Sequence, residues 1–314
     1  MQRWRGLEAV PPGWGRCVAT IGVFDGVHRG HQQIIGRAVA RARAMALPSV
    51  VITFDPHPAE VVRPGTHPTA LTTPHHKVEL VEALGADVLC LLPFTLEFSR
   101  MSPKEFAHAV LVERLHTAAV VVGDNFRFGH RATGGVEALV TLGAQFGFAA
   151  EGVPLLADNG TTISSTFVRA CVDAGDVATA ERALGRPHRV EGIVVRGDAR
   201  GREIGFPTAN LRTAPNAAVP ADGVYAGRLV RRSGALAAAV SIGTNPTFAG
   251  RERRVEAFVL DFDGDLYGEQ VAIDFVSRLR ETVRFDSVEA LVEQMHRDVA
   301  RARTDVGGQA HTVE

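Results

Sequence analysis

The stretch CVATIGVFDGVHRGHQQIIGRAVARARAMALPSVVITF, residues 17–54, decides the fold of the first half of the chain. It opens with an apolar run at 17–24, passes through a turn with two glycines, and then places apolar residues at helical spacing over 30–46. A second apolar run follows at 48–54. Buried strands that alternate with helices are typical of a parallel sheet covered on both faces. The stretch therefore predicts a strand–helix–strand unit.

The same alternation continues to about residue 184. Helical patterns at 75–85 and 102–115 are each followed by a short apolar run, at 86–94 and 118–123. This order predicts an α/β doubly wound, Rossmann-like domain over residues 1–185. Ligands of such a domain bind beyond the carboxyl ends of the strands.

The second half, residues 186–314, shows a different pattern. Short strand-like pieces are separated by Gly, Pro, Asn and Asp, and they lie at 188–197, 223–232, 234–243, 255–262 and 269–279. They predict a small, mainly β domain, either an antiparallel barrel or a sandwich. One amphipathic helix should begin near Ser287, and the tail from Thr304 onward is expected to be disordered.

Composition excludes several classes of protein. The 34 basic and 35 acidic residues give a net charge of −1, which argues against a nucleic-acid partner for the whole chain. The three cysteines, at positions 17, 90 and 171, form neither a disulfide framework nor a zinc pattern. We find no secretory signal and no apolar run long enough to span a membrane, so we expect a cytoplasmic protein. The sequence leaves open whether the protein forms a homo-oligomer.

A candidate phosphate site lies in the first half, where the first strand gives way to a helix. Gly26 and Gly30 permit a tight turn, and His28 and His31 stand at the helix entrance. Backbone N–H groups and the helix dipole favour phosphate there. Asp25 would require a metal or a basic partner close by. Spacing alone leaves ordinary capping equally open, and a zinc pair would need further ligands that the sequence does not place nearby.

A second candidate site lies in GREIGFPTAN, residues 201–210. Thr208 and Asn210 stand two apart, so an extended segment would present two neutral oxygens on one face. That arrangement suits Mg²⁺, which prefers oxygen ligands, and the alternative is a plain turn. Downstream, Glu256 precedes an acidic stretch, residues 261–265, that we interpret as a hairpin turn rather than a calcium loop.

Two motifs of the first half resemble known signatures. GVFDGVHRGH, residues 22–31, resembles the H-x-G-H signature of the nucleotidyltransferase superfamily, and ISSTFVR, residues 163–169, resembles its second signature as found in bacterial FAD synthetases. The resemblance implies that His28 and His31 contact ATP phosphates and support charge on the pyrophosphate. With the turn, the predicted ATP and phosphate contacts are Asp25, Gly26, Gly30, Ser164, Ser165, Thr166 and Arg169. Taken alone, ISSTFVR favours an ordinary helix N-cap.

Two further stretches are similar to the FAD synthetase family. They are TFDPHP, residues 53–58, and VVVGDNFRFGHRATGG, residues 120–135. The resemblance implies flavin contacts at Phe54, Asn125, Phe126 and Phe128. An apolar strand residue such as Phe54 is otherwise expected in the core.

The second half resembles the flavokinases. In GDARGREIGFPTANL, residues 197–211, the resemblance implies that a Gly-rich turn covers ATP phosphates and that Thr208 and Asn210 bind Mg²⁺. It also implies that Glu256 is the catalytic base and that Arg280 lies near the flavin. The residues predicted to contact ATP are Gly197, Gly201, Arg202 and Gly205. The stretches 220–227 and 241–248 match the same pattern.

Taken in order, these motifs resemble the bacterial bifunctional riboflavin kinase and FAD synthetase family. The resemblance implies an FMN adenylyltransferase domain over residues 1–185 and a riboflavin kinase domain with a six-stranded barrel and a C-terminal helix over 186–314. Riboflavin, FMN, FAD and ATP would be its small-molecule partners and Mg²⁺ its cofactor. Two alternatives stay open: a monofunctional enzyme with one degenerate domain, and a non-catalytic flavin-binding regulator.

Overall fold

The computed structural model describes residues 1–197, 201, 204–244 and 253–308. The chain divides into two compact units. Unit 1 comprises residues 1–68 and 74–164, and unit 2 comprises residues 69–73 and 165–314. The predicted boundary at residues 185 and 186 concerns the catalytic modules and stays a prediction.

Unit 1 is built on a parallel sheet, as predicted, and this sheet has six strands. Its strands follow the spatial order β1-β4-β3-β2-β5-β6. They are β1 (Gln2–Arg5), β2 (Cys17–Ile21), β3 (Ser49–Asp55), β4 (Val88–Pro93), β5 (Thr117–Gly123) and β6 (Ala149–Val153). Every residue of β2 and of β5 is buried, which explains why these strands are mostly apolar, with Thr20 and Thr117 as the polar exceptions. A two-stranded hairpin of β7 (Ala157–Asp158) and β8 (Thr161–Thr162) follows the sheet.

Helices cover both faces of this sheet. One face is covered by α1 (Arg29–Ala44) and α3 (Pro74–Ala83), whose buried residues pack on strand residues such as Val51 and Val121. The other face is covered by α5 (Val136–Phe146) and by a helix that begins as α4 (Pro103–Phe106) and continues with π-helical bonding over Ala107–Arg114. The short α2 (Pro58–Val62) follows β3.

Unit 2 contains a closed, six-stranded antiparallel barrel, which resolves the choice between barrel and sandwich. The strands follow the order β10-β13-β12-β11-β14-β9, and β14 pairs with β9 to close the ring. They are β9 (His188–Val195), β10 (Ala209–Thr213), β11 (Gly223–Arg231), β12 (Gly234–Thr244), β13 (Arg253–Val259) and β14 (Gln270–Arg280). Alternating inward residues such as Val240, Ile242 and Phe275 fill the interior.

Unit 2 also contains the helices α6 (Ser165–Asp173), α7 (Val177–Leu184) and α8 (Val288–Gly308). The helix α8 confirms the predicted C-terminal helix but runs further than expected. The prediction of disorder from Thr304 is wrong for Thr304–Gly308, because Ala302 and Val306 pack on barrel residues that include Ala226 and keep this turn helical. Residues 309–314 lie outside the described part of the chain.

Candidate functional site

The candidate site of unit 1 lies where β2 ends and α1 begins. The chain runs from β2 outward to β3 and β4 on one side and to β5 and β6 on the other, so the strand order reverses between β2 and β5. A crevice at such a reversal is the usual ligand site of an open parallel sheet. The segment Gly22–His28, which we call the β2 loop, leaves the sheet at this point.

The two predicted histidines are in contact at the start of α1. His28 is the N-cap residue, and its Nδ1 accepts a hydrogen bond from the backbone N–H of His31 at 3.3 Å. The two imidazole rings stack with centroids 3.6 Å apart, and Phe24 contacts the His31 ring edge-on at 5.3 Å. Gly30 fits closely beside them, because a Cβ there would lie 3.2 Å from the His28 ring. His28 therefore caps α1 and is also one of the residues predicted to contact phosphate.

The β2 loop has an unusual backbone. Phe24, Gly26 and Val27 have positive φ angles of 49°, 80° and 39°. A positive φ is rare for a bulky or β-branched residue and costs on the order of 1–3 kcal/mol. The side chains of Phe24 and Val27 are 2% and 1% exposed and pack against apolar residues of α1 and α3. Burial of these two side chains stabilises the strained loop.

The basic partner expected beside Asp25 is Lys77 of α3. Asp25 is only 4% exposed. Burial lowers the pKa of the Lys77 ammonium, and the negative charges of Asp25 and Asp55 oppose that shift. The Lys77 Nζ donates a hydrogen bond of 2.9 Å to the carbonyl oxygen of Val23 in the β2 loop. The motifs did not reveal Lys77, although the sequence holds a usable signal: it is one of only two lysines in the chain.

The predicted flavin neighbours of unit 1 belong to one row of aromatic side chains. Phe54 contacts Phe98 at 6.1 Å between centroids, and Phe126 stacks on Phe128 at 5.4 Å. Phe106 joins the two groups, with centroids 5.9 Å from Phe98 and 5.7 Å from Phe128. Sequence patterns did not single out Phe98 and Phe106, because spacing does not show which distant aromatic residues meet.

Asn125, the remaining predicted flavin contact, is exposed beyond the end of β5. Its side-chain oxygen lies against Gly123, where an added Cβ would be 3.2 Å away. The Ile34 side chain of α1 would lie 3.1 Å from the same added Cβ. Asn125 therefore lies on the β5 side of the strand-order reversal.

The motif ISSTFVR spans the limit between the two units. Ser164 ends unit 1, whereas Ser165, Thr166 and Arg169 lie in unit 2 on the first turns of α6. Arg169 Nε donates a 2.6 Å hydrogen bond to the backbone oxygen of Thr69, which also belongs to unit 2. The phosphate contacts assigned to this motif stay predictions.

The candidate site of unit 2 brings together the predicted base and the predicted metal ligands. The Thr208 hydroxyl donates to Glu256 Oε2 at 3.3 Å. Asn210 lies directly opposite Glu256 in the pairing of β10 with β13, and its amide nitrogen contacts the Thr208 carbonyl oxygen at 3.5 Å. All three side chains are partly buried. Thr208 and Asn210 thus form one oxygen-rich group with Glu256, which lies 46 or more positions later in the sequence.

Glycines lie close to this group. A Cβ at Gly197 would lie 2.4–2.6 Å from the Asn210 amide, and a Cβ at Gly201 would lie 2.3 Å from the Phe206 carbonyl oxygen. Gly205 has a φ of 87°. The close approaches explain the absence of side chains at Gly197 and Gly201. Arg202, and the part of the matching stretch at residues 245–248, lie outside the described residues.

Arg280, predicted to lie near the flavin, is engaged in an ion pair. Its Nε lies 2.9 Å from Asp298 Oδ2, and a second guanidinium nitrogen contacts the same oxygen at 2.8 Å. Asp298 belongs to α8 and is 3% exposed, and Gln294 also donates to it at 2.9 Å. The Arg280 guanidinium further lies 5.6 Å from the Phe285 ring centroid. The pair fixes α8 to the end of β14.

The acidic stretch after β13 forms a turn, but the interpretation as a hairpin is wrong, because β13 pairs with β10 and β12 whereas the next strand, β14, pairs with β11 and β9. Asp261 makes a two-point ion pair with Arg303 of α8, with contacts of 2.5 and 3.0 Å. The Asp265 carboxylate accepts the backbone N–H of Tyr267 at 2.8 Å. Two of its three carboxylates therefore have structural partners.

The donor set of unit 2 fits a hard divalent cation. Thr208, Asn210 and Glu256 offer a hydroxyl, an amide oxygen and a carboxylate, which are the ligand types that Mg²⁺ accepts alongside substrate phosphates and water. The residues that the structure describes contain no cluster of three or more His, Cys, Asp or Glu side chains that could hold a metal ion. A zinc-type site is therefore not seen in that part of the chain.

Two family models match the chain in succession. A model described as FAD synthetase matches residues 11–167, and a model described as riboflavin kinase matches residues 184–306. Among solved structures, one from Streptococcus pneumoniae described as a macrolide-efflux protein has a TM-score of 0.88 and 33% identity, and the match covers 96% of this chain and 99% of that one. Within the described residues, no helix is long and apolar enough to cross a membrane.

Curated relatives match over nearly the whole chain. The bifunctional riboflavin kinase/FMN adenylyltransferase of Pseudomonas fluorescens is 38% identical over 312 residues, which cover 99% of this chain and 100% of the relative. Its counterpart in Bacillus subtilis is 34% identical and covers 91% of this chain and 92% of the relative. The chain belongs to the family of bifunctional riboflavin kinases/FMN adenylyltransferases.

Proposed function

We propose that the chain carries out the two reactions of its family with the two side-chain groups described above, the barrel residues phosphorylating riboflavin and the β2 loop serving adenylyl transfer. The observation that carries the kinase assignment is the contact of Thr208 with Glu256 opposite Asn210. Phosphoryl transfer to an alcohol requires a positioned carboxylate and a neutralised triphosphate. Glu256 would provide the carboxylate, and a cation held by Thr208 and Asn210 would neutralise the triphosphate.

In the kinase reaction, Glu256 accepts the proton of the ribityl 5′-hydroxyl of riboflavin. The freed oxygen attacks the γ-phosphorus of ATP, the bond to the β-phosphate breaks, and FMN and ADP result. The Thr208 hydroxyl orients the Glu256 carboxylate through its hydrogen bond. Gly197 and Gly201 allow the backbone to approach the phosphates, because neither position carries a side chain.

Mg²⁺ is the cofactor that we propose for this group. When bound, it neutralises charge on the phosphates and orients the triphosphate. Thr208 and Asn210 would supply oxygen ligands to it. Glu256 stays beside them as the proton acceptor.

In the adenylyl transfer, the FMN phosphate attacks the α-phosphorus of ATP and pyrophosphate leaves. The phosphate is already ionised, so the step needs no general base. His28 and His31 donate hydrogen bonds to phosphate oxygens and support the charge on the leaving pyrophosphate, and their stacked contact limits their freedom. Phe54, Phe126 and Asn125 surround the isoalloxazine ring in this proposal.

The motif ISSTFVR completes the phosphate contacts in the proposal. Ser164, Ser165, Thr166 and Arg169 would bind the triphosphate with hydroxyl and guanidinium donors. We assign the adenylyltransferase module to residues 1–185 and the kinase module to residues 186–314. Arg280 would remain near the flavin while it is paired with Asp298.

A chromatographic time course tests the proposal. Purified full-length protein receives riboflavin, ATP and MgCl₂, and we expect FMN first and FAD afterwards. FMN alone would favour a monofunctional kinase, and FAD formed only from added FMN would favour a monofunctional adenylyltransferase. Bound flavin without any conversion would contradict the proposal and favour a flavin-binding regulator.

Two variants assign the steps. His28→Ala should abolish FAD formation from FMN and leave riboflavin phosphorylation intact, because the kinase side chains do not include it. Glu256→Gln should abolish riboflavin phosphorylation and leave FAD formation from FMN intact, since an amide cannot accept the proton. Loss of both activities in either variant would contradict the division of labour, provided that the variant melts like the parent protein.

A further inference from the structure

The chain uses lysine at only two positions, Lys77 and Lys104, among its 34 lysine and arginine residues. Lys104 is exposed. Lys77 is partly buried on α3, and its ammonium donates to the Val23 carbonyl oxygen. Removing an ammonium from water is costly unless hydrogen bonds and opposite charges compensate it. The position of this partly desolvated ammonium therefore requires an explanation.

Lys77 contacts a strained segment of unit 1, the β2 loop. Val23 immediately precedes Phe24, the first of the positive-φ residues in the β2 loop. The Val23 carbonyl oxygen accepts two side-chain hydrogen bonds, from Lys77 Nζ at 2.9 Å and from the Thr53 hydroxyl at 3.0 Å. At the far end of the loop, Gln32 Nε2 donates to the Val27 carbonyl oxygen at 2.9 Å. The loop is thus fastened at both ends by side chains from neighbouring elements.

The charge of Lys77 matters as much as its hydrogen bond. Asp25 and Asp55 both attract its ammonium, and Asp25 is itself buried in the loop. Without a cation, two carboxylates would face a site that must accept the anionic phosphates of FMN and ATP. An ammonium suits this place better than a guanidinium, because it is a compact point charge that bonds a single carbonyl, whereas a guanidinium presents a wide planar fork.

We propose that Lys77 is a positioning residue of the adenylyltransferase site, which holds the β2 loop through the Val23 carbonyl and balances Asp25 and Asp55 so that the loop can present His28 to phosphate. The inference rests on the proposed role of the β2 loop in FAD formation. Lys77 itself acts through the loop and need not touch either substrate.

Kinetics of the full chain test this role, with FAD formation from FMN and riboflavin phosphorylation measured on the same preparations. Lys77→Met keeps the length of the side chain but removes the charge and the donor. We expect its kcat/KM for FAD formation to fall by about 100-fold, the size of effect that follows from a misplaced catalytic group. KM for FMN and ATP should rise, because the carboxylates are no longer balanced. Riboflavin phosphorylation should be unchanged.

Three further variants separate charge, hydrogen bond and general effects. Lys77→Arg keeps the charge, so compared with Lys77→Met its KM values should return closer to those of the parent protein than its kcat does. Thr53→Val removes the other donor to Val23 and should lower kcat with little change of KM. Lys104→Met is the matched control and should match the parent protein in both reactions. FAD formation by Lys77→Met within about threefold of the parent protein would overturn the proposal.

A spectroscopic measurement decides the matter if Lys77→Met does not fold. In the Lys104→Arg variant, isotope-labelled lysine gives the signal of a single side chain. We expect a Lys77 Nζ signal with slow proton exchange that shifts when ATP is added. Fast exchange like that of an exposed ammonium, without any response to ATP, would overturn the proposal. A parent protein that makes no FAD would instead contradict the proposed function itself.

Discussion

Gly197→Ala probes the kinase site with a single methyl group. The new Cβ would lie 2.4 Å from Asn210 Nδ2, 2.5 Å from its Cγ and 2.6 Å from its Oδ1. Ordinary contacts between such atoms are about 3.5–4.0 Å, so the Asn210 amide must retreat by about 1 Å. Asn210 lies opposite Glu256 in the strand pair, and the displacement therefore occurs within the proposed catalytic group.

The size of the effect follows from that displacement. A misplacement of about 1 Å can cost on the order of 100-fold in rate, which corresponds to about 2.7 kcal/mol of transition-state stabilisation. We expect riboflavin phosphorylation to fall by this factor and the required Mg²⁺ concentration to rise. FAD formation from added FMN should not change, because Asn210 is not among the adenylyltransferase side chains.

The assay is the chromatographic separation of riboflavin, FMN and FAD over time, at several Mg²⁺ concentrations. Gly307→Ala is the control, since a Cβ at that position in α8 meets no atom within 4 Å. Both variants should melt within a few degrees of the parent protein. Kinase activity of Gly197→Ala within about threefold of the parent protein would refute the placement of Asn210 in the catalytic group.

Three other predictions concern the metal, the C-terminal helix and a buried thiol. Thr208→Val should raise the Mg²⁺ concentration that half-saturates the kinase, as titration of the initial rate would show, and chelation by EDTA should stop FMN formation. Asp298→Asn should lower the free energy of unfolding by about 3 kcal/mol in urea denaturation, because it leaves the partly buried Arg280 guanidinium without its anion. Burial raises the pKa of the Cys17 thiol from 9.0 to about 11. The folded state therefore retains this proton longer than the unfolded state, so the corresponding stability, about 2–3 kcal/mol, is present in full below pH 9 and is lost as the pH rises toward 11, which denaturation at pH 8 and 10.5 would measure. Equal stability at the two pH values would contradict it.

The sequence predicted the elements whose side chains alternate or repeat clearly. The apolar runs that became β2 and β5 are buried on both faces, so their composition alone distinguishes them. The edge strand β1 (Gln2–Arg5) was missed, because only one of its four residues is buried and the other three are polar. The strand β6 (Ala149–Val153) was missed because only Val153 is buried in it, and its sequence AAEGV shows no apolar run.

The site residues were predictable where a motif keeps them together. His28 and His31 are three positions apart on one helix start, and Thr208 and Asn210 are two apart in an extended segment, so local geometry fixes their relation. Lys77 could not be found in this way, because it lies on α3, 54 positions after its hydrogen-bond partner Val23. The sequence did show that Asp25 requires a basic partner or a metal. Only the packing of α3 on the sheet identifies the partner.

The barrel has a consequence for the order of events during synthesis. Its ring closes only when β14 (Gln270–Arg280) pairs with β9 (His188–Val195), and no earlier strand can substitute for that pairing. Pairing between segments so distant in sequence carries a large loop-closure cost and is correspondingly slow. The nascent barrel must therefore wait, with one edge of β9 and one edge of β11 unpaired, until β14 has been made. The parallel sheet, whose strands all lie before residue 154, has no such dependence on late residues. If translation pauses before β14 is made, the parallel sheet can already be complete while the barrel is still open.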